Sequence, residues 1–339
     1  MTYHKAIRGG FRVVNRNWQL VLMQLGMVFM SSIGFFIIVG IPLAVAFIIF
    51  GVDLTAMADF QEIVNIVKGP SDILSKYFGL FLVIIACFLL YLILIALLGI
   101  YVLGGSIGII GSSLQNSSLR FHVRTFFDEA KRLFLRLLAF TSFVGIIFIL
   151  VAFLLGILGG GIAALVSYAQ AQDSILALFF GTFFALIMII MAAILILGIL
   201  AVTLYGIACL SFKETGPVKS VLEAWQFLMR NPNAFWLYAM LFSGYLLANF
   251  LLVLFSYPFT LIPIIGTILS FPYQLISYAF QTYLGLIIIA TMLNFYYSTE
   301  IQPEATETVI EEIIPQPQEG EAVVSQGAEG TEKEENSQA

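Results

Sequence analysis

Residues 77–119 read YFGLFLVIIACFLLYLILIALLGIYVLGGSIGIIGSSLQNSSL, and no Asp, Glu, Lys or Arg interrupts them. A helix crosses a bilayer core of ~30 Å with ~20 apolar residues, so these 43 suffice with ends to spare. A single central Arg would cost about 2.5–3.5 kcal/mol. Four other charge-free runs flank this one: 17–52, 137–172, 174–212 and 231–299. The last, 69 residues long, holds two spans divided near 257–266, where Pro258 and Pro263 interrupt helix continuity. The chain therefore reads as all-α, a polytopic bundle of six transmembrane helices with cores near 20–48, 79–110, 138–166, 176–208, 235–256 and 267–295.

Composition agrees. Hydrophobic residues make up 60% of the 339, and mean hydropathy is +1.02, values outside the range of soluble domains. The first run is too long for the apolar part of a cleaved leader and is expected to stay as a signal anchor. Cys87 and Cys209 both fall inside spans, where they read as small apolar residues rather than a disulfide or metal pair.

The basic residues orient the bundle. Lys5, Arg8, Arg12 and Arg16 precede span 1. Arg120, Arg124, Lys131, Arg132 and Arg136 lie between spans 2 and 3, and Lys213, Lys219 and Arg230 between spans 4 and 5. Only Lys68 and Lys76 fall on the opposite side, so the positive-inside rule places both termini in the cytoplasm of a multi-pass cell-membrane protein. The one sizeable outer loop is then 51–76. The acidic balance belongs to the tail: eleven Glu follow Thr299, and the body before it carries 14 basic against 9 acidic residues.

The three basic segments share a helical pattern. Ile7, Phe11, Val14 and Trp18 form an apolar stripe in the first. Phe126, Ala130, Leu133 and Leu137 form one in the second, and Val221, Trp225 and Leu228 in the third. Offsets of 120 and 94 superpose Arg16, Arg136 and Arg230, and likewise Gly10, Ala130 and Ala224. Residues 1–297 thus read as a transmembrane domain built of three helix-plus-hairpin repeats, about 1–115, 116–212 and 213–297. The bland alternative is that any amphipathic helix abutting a span yields a few such matches. Each cytoplasmic interfacial helix is expected in the headgroup layer, apolar face down. Arg8, Arg12, Arg16, Arg132, Arg136 and Arg230 are the candidate contacts to anionic lipid, at about 1 kcal/mol each. Plain topology anchoring explains the same pattern. Trp18, Trp225 and Trp236 sit at predicted membrane borders.

The third segment, Ser-Val-Leu-Glu-Ala-Trp-Gln-Phe-Leu-Met-Arg-Asn-Pro from Ser220 to Pro232, follows a Lys-Glu segment and precedes a Trp/Phe-rich span. It resembles an element of uncharacterised prokaryotic six-span integral membrane proteins. It is also distantly similar to the membrane domain fused to some glycerophosphodiester phosphodiesterases. The resemblance covers the general plan of 1–297, with Ser220, Ala224, Arg230 and Asn231 as its local signature. It implies the six-span plan and no catalytic residue. The soluble phosphodiesterase domain does not occur in these residues, so that activity is not implied.

Reactive groups are scarce at membrane depth. His4 and His122 lie in the basic segments, and no cluster has metal-ligand spacing, no P-loop occurs and no HExxH. No metal, cofactor or nucleic acid is expected, and an independent enzyme is the least favoured reading. Among uncharged polar residues, Gln274, Ser277 and Gln281 fall at 0, 3 and 7 on one face of span 6, with Asn249 in span 5. They are either interhelical hydrogen bonds, worth ~0.6 kcal/mol each, or a groove for a lipid headgroup or small neutral solute. Gly104, Gly108 and Ser112, and Gly156, Gly160 and Ala164, form small-residue faces expected to join spans within the bundle, and Pro42 and Pro272 are expected to bend theirs. Residues 298–339 read as a disordered acidic cytoplasmic tail, with 309–314 a possible dock for a soluble partner. The leading function is a non-enzymatic scaffold or lipid-associated factor. The alternatives are a permease or channel for an uncharged or amphiphilic solute, and an auxiliary subunit of a membrane enzyme or exporter.

Overall fold

A computed structural model describes residues 2–49, 78–116, 119–172, 174–260 and 263–302. The expected outer loop 51–76 and the tail with its apolar island 309–314 lie outside the described residues. Helix is the only regular structure among those described.

Nine helices are described. The chain begins with α1 (Tyr3–Arg16) and α2 (Gln19–Phe35), which runs through a π-helical turn, Phe36–Gly40, into α3 (Ile41–Ile49). Then come α4 (Phe78–Gln115), α5 (Val123–Gln172), α6 (Ser174–Lys213) and α7 (Pro217–Arg230). The last two are α8 (Pro232–Thr260) and α9 (Pro263–Tyr296), which ends in a second π turn, Tyr297–Ile301. Proline sets several of these limits. Pro217 opens α7, where its missing N–H costs nothing, and Pro232 opens α8 one residue after α7 ends. The π turn lies just upstream of Pro42, whose lack of an N–H loosens the preceding turn. Pro272 is carried inside α9.

Six helices are long and apolar enough to cross a membrane: Gln19–Ala46, Phe78–Gln115, Val123–Ala171, Ser174–Lys213, Pro232–Pro258 and Leu269–Ile301. Their apolar middles are mostly bare. None of the 18 most apolar consecutive residues in Val123–Ala171 is buried. Such a surface requires a hydrocarbon solvent. At 1.5 Å per residue the 38 residues of α4 extend about 57 Å, well beyond a ~30 Å core.

The packed core is a collar at one end. It is built from the C-terminal ends of α4, α6 and α9, each clasped by a basic helix. Phe126 of α5 packs on Gly105, Phe227 of α7 packs against the Tyr205 ring, and Gly10 of α1 abuts Thr291 of α9. Ser211 of α6 lies beside Gly111 of α4, and Phe212 stacks on Tyr296, so the three ends meet. All twelve basic residues of the three basic segments therefore gather at this end, the basic end hereafter.

One register recurs in all three clasping helices. At offsets of 120 and 94, Ala6, Phe126 and Ser220 are buried, as are Gly10, Ala130 and Ala224, then Val13, Leu133 and Phe227, then Leu20, Phe140 and Ala234. In α1 and α7 this register buries Gly10, Ser220, Ala224 and Phe227, and Val14 of the apolar stripe is buried with them, while Phe11, Trp18 and Trp225 stay exposed. The cause is close approach: a Cβ on Gly10 would lie 2.2 Å from Thr291 Oγ1 and 2.9 Å from its backbone N, and one on Gly105 2.7 Å from the Phe126 ring.

Two expectations need correction. The second basic segment is not separated from span 3, because α5 runs unbroken for 50 residues. Among the described residues Gly156 and Gly160 join nothing, since none has an atom within 4 Å of a Cβ built on either, whereas Gly104 and Gly108 do pack, against Leu137 and Glu129. A small-residue face permits approach but supplies no partner.

Candidate functional site

Polar side chains in the spans divide into two kinds. Two of α2 pair across helices: Gln24 donates to Ser106 Oγ at 3.2 Å, and Ser31 shares a 2.7 Å hydrogen bond with the Tyr91 hydroxyl, while Ser32 donates to the Val28 carbonyl of its own helix. These are packing bonds of the kind expected in bundles. The polar face of α9 behaves differently.

Gln274, Ser277 and Gln281 line one cavity of about 310 Å³ between α8 and α9, at the lower end of the range for ligand pockets. The α8 wall supplies Leu252, Val253 and Ser256. Ser277 is only 8% exposed, and its hydroxyl has no hydrogen-bond partner among the described residues. An unpaired hydroxyl in a low-dielectric site costs about 1–3 kcal/mol. Around it, the Ser256 hydroxyl of α8 donates to the Val253 carbonyl and the Tyr273 hydroxyl of α9 to the Leu252 carbonyl. The amides of Gln274 and Gln281 make no hydrogen bond to another described residue. Among the described residues none that lines the cavity is charged, so the chemistry they offer is that of neutral donors and acceptors.

Asn249, expected beside these residues, is not among the lining residues. Its Nδ2 donates to the Tyr245 carbonyl at 2.8 Å, one turn back on its own helix. Ser277 lies 19 residues before Tyr296, about 28 Å along the helix axis from the basic collar. The cavity thus sits far along the spans from the basic end. Compared with protein-family models, curated proteins and solved structures, the chain matches none. The reading of the site rests on its geometry.

The six arginines set out as anionic-lipid contacts part into two groups. Arg8, Arg12 and Arg230 are exposed and make no ion pair among the described residues. The other three are engaged. Arg16 donates to the Ser113 carbonyl at 3.0 Å, beside Asn17, whose Nδ2 reaches Ser113 Oγ. Arg132 and Arg136 both meet the carboxylate of Glu214 at 3.3 Å, and Arg132 also meets Glu129 at 2.7 Å. Glu214 has φ 53°, a left-handed conformation that costs a non-glycine residue roughly 1–2 kcal/mol. The two guanidiniums hold its side chain, and with it the α6–α7 turn, against α5.

Sequence reasoning also missed the surroundings of Cys209. It is buried as expected of a small apolar residue, yet its thiol donates to the Glu223 carboxylate, which also meets Lys219 at 3.8 Å. Nothing in the spacing of Cys209 and Glu223 signals this pair, which exists because α7 folds back onto α6.

Proposed function

We propose that the protein is a non-enzymatic, lipid-associated membrane protein that holds an uncharged amphiphile between α8 and α9. The observation that carries this reading is the buried hydroxyl of Ser277, without a partner among the described residues, beside a cavity whose described lining adds the amides of Gln274 and Gln281 and no charge. In hydrocarbon such a set is a standing deficit of hydrogen bonds. A ligand with hydroxyl and ester groups, such as a neutral glycerolipid headgroup, would meet it while its chains lie along the bare apolar faces. A conduit through the bundle is less well supported. The collar at the basic end is filled with fully buried large side chains, among them Tyr205, Tyr238, Tyr296, Phe126 and Phe140.

The finer architecture belongs to the same proposal. The shared buried register supports three helix-plus-hairpin repeats, with α1 closing the ring by clasping α9 as the second and third basic helices clasp α4 and α6. The gathering of basic residues supports a cytoplasmic basic end and interfacial helices there. On that orientation the Ser277 cavity opens in the outer leaflet.

Vesicles containing a photoactivatable diacylglycerol test the reading. Labelling should map to 252–281 and fall several-fold in the Ser277→Ala/Gln281→Leu protein. Labelling spread evenly over the spans, or unchanged in that variant, would exclude a specific site.

A further inference from the structure

A second hollow, of about 160 Å³, lies at the basic end where α7 meets the end of α9. Its lining is charged, unlike that of the α8–α9 cavity. Glu223 and Arg230 stand two turns apart on one face of α7. Tyr296 and Glu300 come from the end of α9 and the π turn that follows it, and Lys213 is the last residue of α6. Two cations thus face two carboxylates around one small space. Glu223 is held in place: the Cys209 thiol donates to its Oε2 at 2.8 Å, and Lys219 Nζ lies 3.8 Å from its Oε1. Arg230 and Glu300 are not held in this way. They bring opposite charges to the same hollow, yet neither forms an ion pair with the other or with any other described residue. Opposite charges kept apart across a hollow fit a guest that carries both signs. A simple anion would meet Arg230 but also face two carboxylates, and a simple cation would face two basic groups. The charge-free run of α6 stops at Phe212, one residue before Lys213, and Trp225 of α7 is exposed. Both features suit the level of lipid headgroups.

We propose that this hollow binds the headgroup of phosphatidylethanolamine, with the phosphate at Arg230 and the primary ammonium at Glu300. Guanidinium and phosphate match as a bidentate pair. A primary ammonium offers N–H donors to the carboxylates, whereas the trimethylated ammonium of phosphatidylcholine offers none and is bulkier. Soluble phosphoethanolamine carries the same two charges. The lipid is favoured because the hollow stands where the apolar run of α6 ends. The hollow shares no lining residue with the α8–α9 cavity, so either reading can fail alone.

Native mass spectrometry of the full-length protein in mild detergent gives the test. Phosphatidylethanolamine and phosphatidylcholine with identical acyl chains are added in equal amounts, so that only the headgroup differs. The wild type should bind several-fold more of the first, and stepwise N-methylation of the ethanolamine should lower binding stepwise, a readout that needs no variant. Arg230→Gln and Glu300→Gln, neither at a buried position, should each bring the two lipids towards parity while unfolding at the wild-type temperature. Arg124→Gln removes an exposed arginine of the same end that does not line the hollow and should leave the preference intact, as should Ser277→Ala/Gln281→Leu. Equal binding of the two lipids by the wild type, or a preference unchanged in both hollow variants or lost equally in Arg124→Gln, overturns the proposal. A preference untouched by one hollow variant overturns the assignment of that residue. Soluble phosphoethanolamine should compete only in large molar excess. Competition at the lipid's own concentration overturns the lipid as the source of the headgroup.

Discussion

Replacing Gly10 with alanine should loosen the clasp of α1 on α9, and its magnitude can be worked from the contact. Alanine is the better helix former by about 0.8–1.0 kcal/mol, so in an uncrowded helix the change stabilises. Gly26 in α2 is such a place, with no atom within 4 Å of where its methyl would stand. At Gly10 the same methyl meets Thr291 Oγ1 at 2.2 Å, and Thr291 N and Cα at 2.9 and 3.0 Å. The hydroxyl can rotate away, but the backbone cannot, so the helices must part. Overpacking of this kind costs typically about 1–3 kcal/mol. The propensity gain is common to both variants, so the difference between them isolates the clash. Gly10→Ala should be less stable than Gly26→Ala by about 1–3 kcal/mol in thermal unfolding in mild detergent. Adding Thr291→Ala should restore only part of the loss, because the backbone contact remains. Equal stability of the two single variants, or full rescue by Thr291→Ala, would refute the close approach of α1 to α9.

Other outcomes follow from the same contacts. Phe140 is fully buried against Gly206, and Phe140→Ala should cost about 3–5 kcal/mol, read as a lowered unfolding temperature, with Leu135→Ala as an exposed control that changes little. Glu214→Gln keeps the turn but removes the charge shared by Arg132 and Arg136, so stability should fall by at most about 1 kcal/mol and the effect should vanish at high salt. Ser277→Ala in ligand-free detergent solution should be neutral or stabilising, since it deletes an unpaired hydroxyl, whereas loss of a packing bond would cost ~0.6 kcal/mol.

The spans were legible because exclusion of charge from hydrocarbon is a rule of composition, and the runs ending at Phe212 and beginning at Asn231 obey it without knowledge of neighbours. The faces were less so. The stripe of Ile7, Phe11 and Trp18 was read for the headgroup layer and does not say which residues meet the bundle; there Gly10, Ala224 and Ser220 carry the contact. The same small-residue signal at Gly156 and Gly160 led nowhere, since it states what a helix permits and not what lies opposite. The candidate site was half legible. Spacing grouped Gln274, Ser277 and Gln281 on one face, but their lack of partners depends on what α8 presents, Leu252 and Val253 instead of a polar match. Asn249 instead bonds a carbonyl one turn back on its own helix, which its spacing from the α9 residues could not show. The bridge from Glu214 to two arginines, and the pairing of Cys209 with Glu223, arise only when chain-distant helices meet.

Native mass spectrometry of the protein released from its own membrane in mild detergent tests the central claim most directly. The wild type should carry an adduct with the mass of one neutral lipid, and the Ser277→Ala/Gln281→Leu protein, folded to the same unfolding temperature, should lose it. A wild type free of any such adduct, or an adduct retained in full by the double variant, would contradict the proposal that the α8–α9 cavity holds an uncharged amphiphile.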